Sequence, residues 1–171
     1  MAIDHPAAAK LKEQFPGVSF QGAEFRGDTQ IVIPGEQLTA IVRFLKEEPT
    51  LGYDMLCDLS CVDYLNFPGA KDRFGLVYIF NSVKAGGPRL TLRVFLNEPQ
   101  LEVDSLVSVY AGAEWMEREV FDMFGIRFKG HPDLRRILTW EGFTANPLRK
   151  DYPVIGKGER EDYPVVNRES V

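Results

Sequence analysis

Two runs of apolar residues in the middle of the chain constrain its fold more than any other feature. The first, residues 74–83, places apolar side chains on both faces of an extended segment. The second, Leu90–Leu96, alternates apolar residues with arginine and threonine. A period of two is typical of β-strands, and the glycines and proline at residues 86–88 predict a turn between them. We therefore expect an antiparallel pair whose first strand is central and covered on both sides, although the second cover is not obvious from this chain.

Other periodic segments predict the remaining elements. The clearest is residues 35–47, where Leu38, Ile41, Val42 and Leu45 recur at the spacing of a helix face. The others are a first helix capped by Asp4 and ended near Gly17, strands at residues 18–20, 29–33 and 55–61, and a short helix from Asp104 or Ser105 through Tyr110. The pattern predicts an α+β fold of order α-β-β-α-β-β-β, then helices and an extended C-terminal arm.

The composition excludes several classes of protein. A net charge of −5 over 171 residues argues against a large phosphate-binding face, so we expect no nucleic-acid partner. No apolar run reaches the roughly 18 residues of a spanning helix, and no signal peptide is evident, which predicts a cytosolic or peripheral protein. Cys57 and Cys61 lie in one predicted strand about 13 Å apart, too far for a disulfide. We interpret them as small buried side chains.

Residues 114–138 are the densest window of charge, aromatic bulk and turn chemistry in the chain. Wound as a helix, the first half brings four apolar residues onto one arc, namely Met116, Val120, Met123 and Phe124. Glu114, Arg118 and Asp122 fall opposite, which predicts an outer stripe that pairs with itself. Gly125 is expected to end this helix in the left-handed conformation.

Two carboxylates depart from this simple pattern. Glu117 and Glu119 are flanked by apolar residues on the helical wheel, which predicts partial burial. A buried carboxylate needs a cationic or hydrogen-bonding partner. The candidate partners lie just downstream and are Arg127, Lys129, Arg135 and Arg136. Removing the charge of Glu117 is then expected to weaken folding or assembly, because its cationic partner is left unneutralised.

The segment after the helix is predicted to turn and then extend. Residues 130–133 contain Gly130, His131, Pro132 and Asp133, and Pro132 can open a short helical turn in which Leu134, Ile137 and Leu138 face inward. Residues 139–171 show no period, yet they keep several aromatics, namely Trp140, Phe143, Tyr152 and Tyr163. We expect an extended arm lying in grooves of a partner, with docking on its own sheet as the alternative.

Residue patterns of common active sites are missing from this sequence. It contains no GxxxxGK[ST], GxGxxG, GxSxG or HExxH motif. One cluster, Glu117, Glu119, His131 and Asp133, could act as acid and base in a stand-alone enzyme, because histidine titrates near neutrality. The competing interpretation is a turn whose polar side chains bind backbone groups, with the arginines as ion-pair partners.

Residues 117–138 match the signature of a known family. The run reads Glu117, Arg118, Glu119, two residues, Asp122, Met123, Phe124, six residues, His131, three residues, Arg135, one residue, Ile137 and Leu138. Residues 146–153, with the sequence NPLRKDYP, are also similar to the arm of that family, whereas the N-terminal half agrees only in layout. On these residues the chain resembles the 30 kDa, or C, subunit of respiratory NADH:quinone oxidoreductase (complex I).

The resemblance implies a fold and a role. It implies a two-layer domain with a mixed five-stranded sheet in residues 1–138, and an arm at 139–171 that packs on the quinone-site (49 kDa or D-type) subunit. Iron–sulfur subunits are further expected partners. Members of the family have no flavin, cluster or nucleotide, so we expect a scaffold without cofactor or active site of its own. It would lie at the cytoplasmic face of the membrane, attached only through the complex.

The same resemblance assigns structural or interface roles to residues of the signature and arm. They are Glu117, Arg118, Glu119, Asp122, Gly125, His131, Pro132, Asp133, Arg135, Arg136, Arg149, Lys150 and Asp151. The electron donor stays open, because hydrogenase-type, F420-dependent and photosynthetic relatives have similar scaffold subunits. Whether Arg135 and Arg136 meet the glutamates inside this chain also stays open at this point.

Overall fold

A computed structural model describes residues 5–83 and 87–158 of the chain. In chain order the elements are α1 (Pro6–Gln14), β1 (Gln21–Phe25), β2 (Asp28–Val32), α2 (Leu38–Glu47), β3 (Met55–Asp63), β4 (Phe74–Asn81), β5 (Leu90–Leu96), β6 (Glu102–Asp104), α3 (Ala113–Phe124) and β7 (Arg127–Lys129). The predicted α+β class and the order of the first seven elements are confirmed.

The main sheet has five strands in the order β1-β2-β5-β4-β3. Strands β2 and β5 run parallel, and the other neighbouring pairs are antiparallel. Strand β4 is an interior strand between β5 and β3, with Phe74 opposite Leu96 and Phe80 opposite Leu90 on β5. The register of β3 shifts between Leu56 and Asp58, which is a β-bulge. This bulge explains why Leu56 breaks the apolar alternation of the sequence and is still buried.

One face of the sheet forms the core with the helices. The buried cluster joins α1, α2 and α3 to apolar side chains of β3, β4 and β5. Edge-to-face packing of Phe15 on Phe44 links α1 to α2, with ring centroids 5.8 Å apart. On the opposite face the corresponding side chains of β4, Val77 and Ile79, are only half-buried. Helices therefore cover the predicted central strand on one side.

Three boundaries differ from the sequence-based prediction. The predicted strand at residues 18–20 does not form; the first strand is Gln21–Phe25, whose residues pair one by one with Asp28–Val32. His5 caps α1 through Nδ1, which accepts the backbone N–H of Ala7 at 3.2 Å. The predicted cap, Asp4, lies outside the described residues. The segment from Ser105 to Tyr110 forms turns and not a helix.

The reason for that last difference is the small second sheet. Strand β6 pairs in parallel with β7, and Ser105 continues the pairing by donating its backbone N–H to Lys129 O at 2.8 Å. The chain is therefore still extended at Ser105, and beyond it only one turn forms, in which Val109 and Tyr110 donate their N–H groups to Leu106 O at 2.8 Å. The short helical turn predicted after Pro132 is also wrong, since residues 131–139 contain no helix and Leu138 is exposed.

Candidate functional site

The predicted stop of the signature helix is confirmed at Gly125. This residue has φ of 80°, and its N–H donates to Phe121 O at 2.9 Å. A Cβ atom here would lie 2.8 Å from Oδ1 of Asn146 in the arm. Asn146 uses this close approach to donate through Nδ2 to Asp122 O at 3.0 Å. Glycine is therefore required twice, for the left-handed backbone and for the arm's contact.

Asp122, near the end of α3, is the first anchor of the C-terminal arm. Its side chain is fully buried and accepts the backbone N–H groups of Ile137, Leu138 and Thr139 at 3.0, 2.8 and 2.9 Å. Arg136 Nη1 lies 2.6 Å from its Oδ1. Burial by itself raises the pKa of Asp122, but the hydrogen bonds from Thr139, Arg136 and Leu138 outweigh it and lower the pKa to about 2.

Arg118 holds the same segment one helical turn earlier. Its Nε donates to Arg135 O at 3.1 Å and its Nη2 to Arg136 O at 2.9 Å. The guanidinium also lies 5.4 Å from the ring centroid of Trp115. The predicted exposed stripe of Glu114, Arg118 and Asp122 is therefore wrong. Residues 135–139 cross this face of α3. Their backbone groups form hydrogen bonds with the side chains of Arg118 and Asp122, which were expected to face solvent.

A second buried carboxylate, Asp63 at the end of β3, anchors the distal part of the arm. It accepts the backbone N–H of Lys150 at 2.8 Å and that of Leu65 at 2.9 Å. Arg73 Nη2 lies 3.3 Å from its Oδ2. Burial raises the pKa of Asp63, but the hydrogen bonds from Lys150, Arg73 and Leu65 outweigh it, so the pKa is lowered.

The two arginines beside this anchor enclose one aromatic ring. Arg73 and Arg149 lie 4.8 and 5.1 Å from the centroid of Phe74, whose side chain is fully buried. Arg73 also pairs with Asp151 at 2.7 Å and with Glu98 at 3.1 Å. Arg149 pairs with the same two carboxylates. The predicted interface residues Arg149, Lys150 and Asp151 thus contact their own domain in this structure.

Aromatic packing continues along the first part of the arm. Phe143 is buried, with the ring of Trp140 at 4.9 Å and that of Tyr152 at 6.1 Å between centroids. The guanidinium of Arg136 lies 5.7 Å from the Phe143 ring. Residues 139–152 therefore form an ordered layer on the domain, while Tyr163 lies outside the described residues. Contact of the arm with a partner stays a prediction.

Glu117 is fully buried, but its partners are not the predicted cations. Ser105 Oγ donates to Oε2 at 2.6 Å, and the Leu106 N–H donates to Oε1 at 2.7 Å. Burial raises the pKa of Glu117 against these hydrogen bonds. Three of the predicted cationic partners bind elsewhere: Arg136 pairs with Asp122, Arg135 with Asp133 and Lys129 with Glu102. Glu119 is exposed, so its predicted partial burial is wrong.

His131 ties the turn after β7 to the start of α3. Its Nδ1 accepts the Asp133 N–H at 3.0 Å, and its Nε2 lies 3.0 Å from Glu114 O. A neutral ring protonated on Nε2 satisfies both contacts. With both ring nitrogens bound to backbone and Glu117 bound to Ser105, these groups do not present a free acid and base to a substrate. The geometry favours the structural interpretation of this cluster.

We expect Glu117→Gln to remove a pH dependence of stability. Because burial raises the folded-state pKa, wild-type stability is greatest below the unfolded value of 4.5 and is lost as pH rises through the folded-state pKa. The slope reaches about 1.4 kcal/mol per pH unit. Glutamine can accept the Leu106 N–H through Oε1 and donate through Nε2 to Ser105 Oγ, so the variant should lie within about 1 kcal/mol of wild type near pH 5.

The measurement is urea unfolding of both proteins from pH 5 to pH 8. The stability difference should shift in favour of the variant as pH rises. Glu119→Gln on the same helix is the matched control, since Glu119 is exposed. A pH-independent difference between wild type and Glu117→Gln would contradict burial of an ionisable Glu117. The expected unneutralised cation does not arise in this variant, because Glu117 is bound by Ser105 and Leu106.

The described residues contain neither a metal site nor a membrane-spanning helix. Within residues 5–83 and 87–158, no three His, Cys, Asp or Glu side chains come together as a metal site would require. In the same ranges no helix is long and apolar enough to cross a bilayer. The buried and half-buried polar side chains of residues 117–138 mainly form hydrogen bonds with backbone groups of this chain. These features define a class of protein: an α+β domain whose buried carboxylates hold its own C-terminal segment.

Comparison with known proteins identifies the family. The family model described as "Respiratory-chain NADH dehydrogenase, 30 Kd subunit" matches residues 31–158. The chain belongs to this family. It is 40% identical over 163 residues to the C-type subunit of NADH-quinone oxidoreductase from Geotalea uraniireducens, covering 95% of each chain. It is 43% identical over 163 residues to the corresponding protein of Trichlorobacter lovleyi, covering 95% of this chain and 97% of the relative.

A solved structure supports the same assignment. The structure described as "Nqo5 of the trypsin-resistant fragment (1-134) in P63 form" superposes with a TM-score of 0.61 at 30% identity. It covers 75% of this chain and 99% of that chain. The resemblance to the 30 kDa component of complex I is thus confirmed, and the protein is a subunit of a respiratory NADH:quinone oxidoreductase. Its partners are other subunits of that complex.

Sequence reasoning missed the distal anchor. No local spacing connects Asp63, Arg73 and Glu98 to the arm, so the sequence did not mark them as site residues. Asp63 and Lys150 are 87 residues apart in the chain. The one local signal was the basic and acidic cluster at residues 149–151, whose charges are of the kind that can form ion pairs but do not identify their partners.

Proposed function

We propose that this chain is a scaffold subunit without a cofactor of its own. It binds the quinone-site (49 kDa or D-type) and iron–sulfur subunits in the peripheral arm of the complex. The observation that carries the proposal is the double anchoring of the C-terminal arm by Asp122 and Asp63. A segment without helix or strand is thereby held in one shape on the surface, which reduces the entropy lost when a partner binds it.

The end of the described arm supplies the contact surface in this proposal. Residues 153–156 form a turn in which Gly156 donates its N–H to Pro153 O at 2.9 Å. Val154 and Ile155 occupy the middle of the turn and are fully exposed. Turns usually carry polar residues or glycine at such positions. Adjacent exposed aliphatic side chains on a positioned turn suit insertion into an apolar pocket of a neighbour.

The solved relative is consistent with this division of the chain. It is described as a trypsin-resistant fragment and matches 75% of the present chain. We infer a compact domain in residues 1–138 and a more accessible arm in residues 139–171 that is protected by partners. In this proposal the protein lies at the cytoplasmic face of the membrane and reaches the membrane only through the complex.

The test is the double variant Val154→Ser/Ile155→Ser. Since both side chains are fully exposed, the melting temperature of the isolated protein should stay unchanged. The affinity for the quinone-site partner, measured by copurification and titration, should fall by about a hundredfold or more, because burying the two aliphatic side chains together contributes about 3–6 kcal/mol. Val83→Ser is the matched control, since Val83 is 64% exposed and lies outside the arm.

Two results would contradict the proposal. Undiminished copurification of the double variant would show that the turn does not bind a partner. Flavin or iron at one equivalent per chain in the purified protein would show that this chain holds a redox group. Absorbance spectra and metal analysis of the isolated chain answer the second point.

A further inference from the structure

The face of the main sheet opposite the helices carries a cation, Arg93, that forms no ion pair with any other described residue. Arg93 lies in the middle of β5, beside Val77 of β4 and Val32 of β2. Within residues 5–83 and 87–158, its side chain makes one hydrogen bond, from Nη1 to the Tyr64 hydroxyl at 3.2 Å. The Nε atom is buried and has no partner in that part of the chain.

Aromatic side chains surround this guanidinium. Tyr64 packs against Phe67 at 5.8 Å and Phe95 at 6.2 Å between ring centroids. The Tyr64 ring lies against Gly75 of β4. A Cβ atom at residue 75 would come within 2.9 Å of this ring. Phe67 is 64% exposed. We call Tyr64, Phe67, Arg93 and Phe95 the Arg93 patch; together with residues 68–72 they line a groove of about 240 Å³.

The chemistry of this patch is incomplete within the described residues. A half-buried guanidinium loses part of its hydration, and a tyrosine hydroxyl does not neutralise its charge. A carboxylate satisfies the planar fork of an arginine with two parallel charge-assisted hydrogen bonds. Arginine and the large aromatics are also the residues most enriched at the energetic centres of protein interfaces. The missing group is thus an anion with apolar surface beside it.

We propose that the Arg93 patch is an interface with another subunit of the complex. That neighbour contributes an Asp or Glu side chain to Arg93 and an apolar residue that covers Phe67. The sheet face is shallow and its aromatic edge is exposed, which suits a protein surface better than a small ligand that needs enclosure. The interface is separate from the arm and requires only that the chain is part of a multi-subunit assembly.

Arg93→Met tests the proposal because the isolated and assembled proteins should respond differently. In the isolated chain the change removes an unpaired cation, so the melting temperature should stay equal or rise. In the complex the carboxylate of the neighbour loses its partner, so the amount of this chain retained in the purified complex should fall about tenfold or more. A purely structural Arg93 would lower the melting temperature, and this result overturns the proposal.

Two further variants sharpen the comparison. Arg93→Lys keeps the positive charge but loses the planar guanidinium that binds a carboxylate through two hydrogen bonds. This variant should be retained in the complex to a greater extent than Arg93→Met. Arg43→Met removes one positive charge from an exposed position on α2 and should leave assembly unchanged. Retention of Arg93→Met at the wild-type level overturns the proposal. It does so independently of the arm, whose contribution is measured by Val154→Ser/Ile155→Ser.

Photocrosslinking identifies the occupant of the patch. A photoreactive phenylalanine analogue placed at Phe67 in the intact complex should link to another subunit, in a peptide that contains Asp or Glu. Links only to a second copy of this chain, or none, overturn the proposal. A melting temperature of the isolated chain raised by succinate, and not raised in Arg93→Met, would indicate a small-anion site and also overturns it.

Discussion

Asp122→Ala is expected to lower the free energy of unfolding by about 3–5 kcal/mol, because it leaves a partly buried cation and several backbone donors without an acceptor. Arg136 loses the carboxylate at 2.6 Å, and the N–H groups of Leu138 and Thr139 lose bonds of 2.8 and 2.9 Å. Asp122→Asn keeps the shape but removes the charge, and should cost about half as much. Urea unfolding at neutral pH measures both losses.

Acid titration gives an independent check of the same anchor. The pKa of Asp122 is lowered from 3.8 to about 2, so its contribution is present above the unfolded value and is lost as pH falls through 2. The stability difference between wild type and Asp122→Ala should shrink over that range. Asp58→Ala, at an exposed position on β3, is the control. A loss below about 1 kcal/mol for Asp122→Ala would contradict the anchor.

Asp63→Ala is expected to release the distal part of the arm at a cost of about 2–3 kcal/mol. The partly buried Lys150 and Leu65 N–H groups lose their acceptor, and an unpaired donor costs at most about 1–3 kcal/mol when it is fully buried. Arg73 keeps Glu98 and Asp151 as partners, which limits the loss below that of Asp122→Ala. The two anchors are therefore distinguished better by which part of the arm is released than by the loss in free energy of unfolding.

Amide hydrogen exchange locates that damage. In Asp63→Ala the Lys150 amide should exchange much faster than in wild type, while the Thr139 amide stays protected by Asp122. Trypsin should then cut first after Arg149. Equal protection of the Lys150 amide in both proteins would show that Asp63 does not hold the arm. Asp58→Ala serves again as the exposed control on the same strand.

Elements with strong local signals could be predicted from the sequence. The apolar spacing of α2, the alternation in β4 and β5 and the stop at Gly125 depend on neighbours in the chain, so short-range chemistry specifies them. The parallel pairing of β6 with β7 could not be predicted, because strands of three residues have no usable period. The predicted helix at Ser105 failed for this reason.

The same difference between local and long-range interactions applies to the candidate site. The signature from Glu117 to Leu138 was enough to recognise the family, and it marked Asp122, Arg118 and Arg136 as residues of interest. It did not reveal their partners. Glu117 was expected to meet an arginine and meets Ser105 and a backbone N–H instead.

By itself, the sequence determined strands β2 to β5, the core helix α2, the end of α3 and the family. Only the tertiary structure decided which charges are buried. A helical period shows that Arg118 and Asp122 share a face, but it does not show that residues 135–139 return across that face. The bond from Lys150 to Asp63 likewise spans 87 residues. The cost of burying a carboxylate depends on donors brought by the folded chain, and those donors have no fixed distance in sequence.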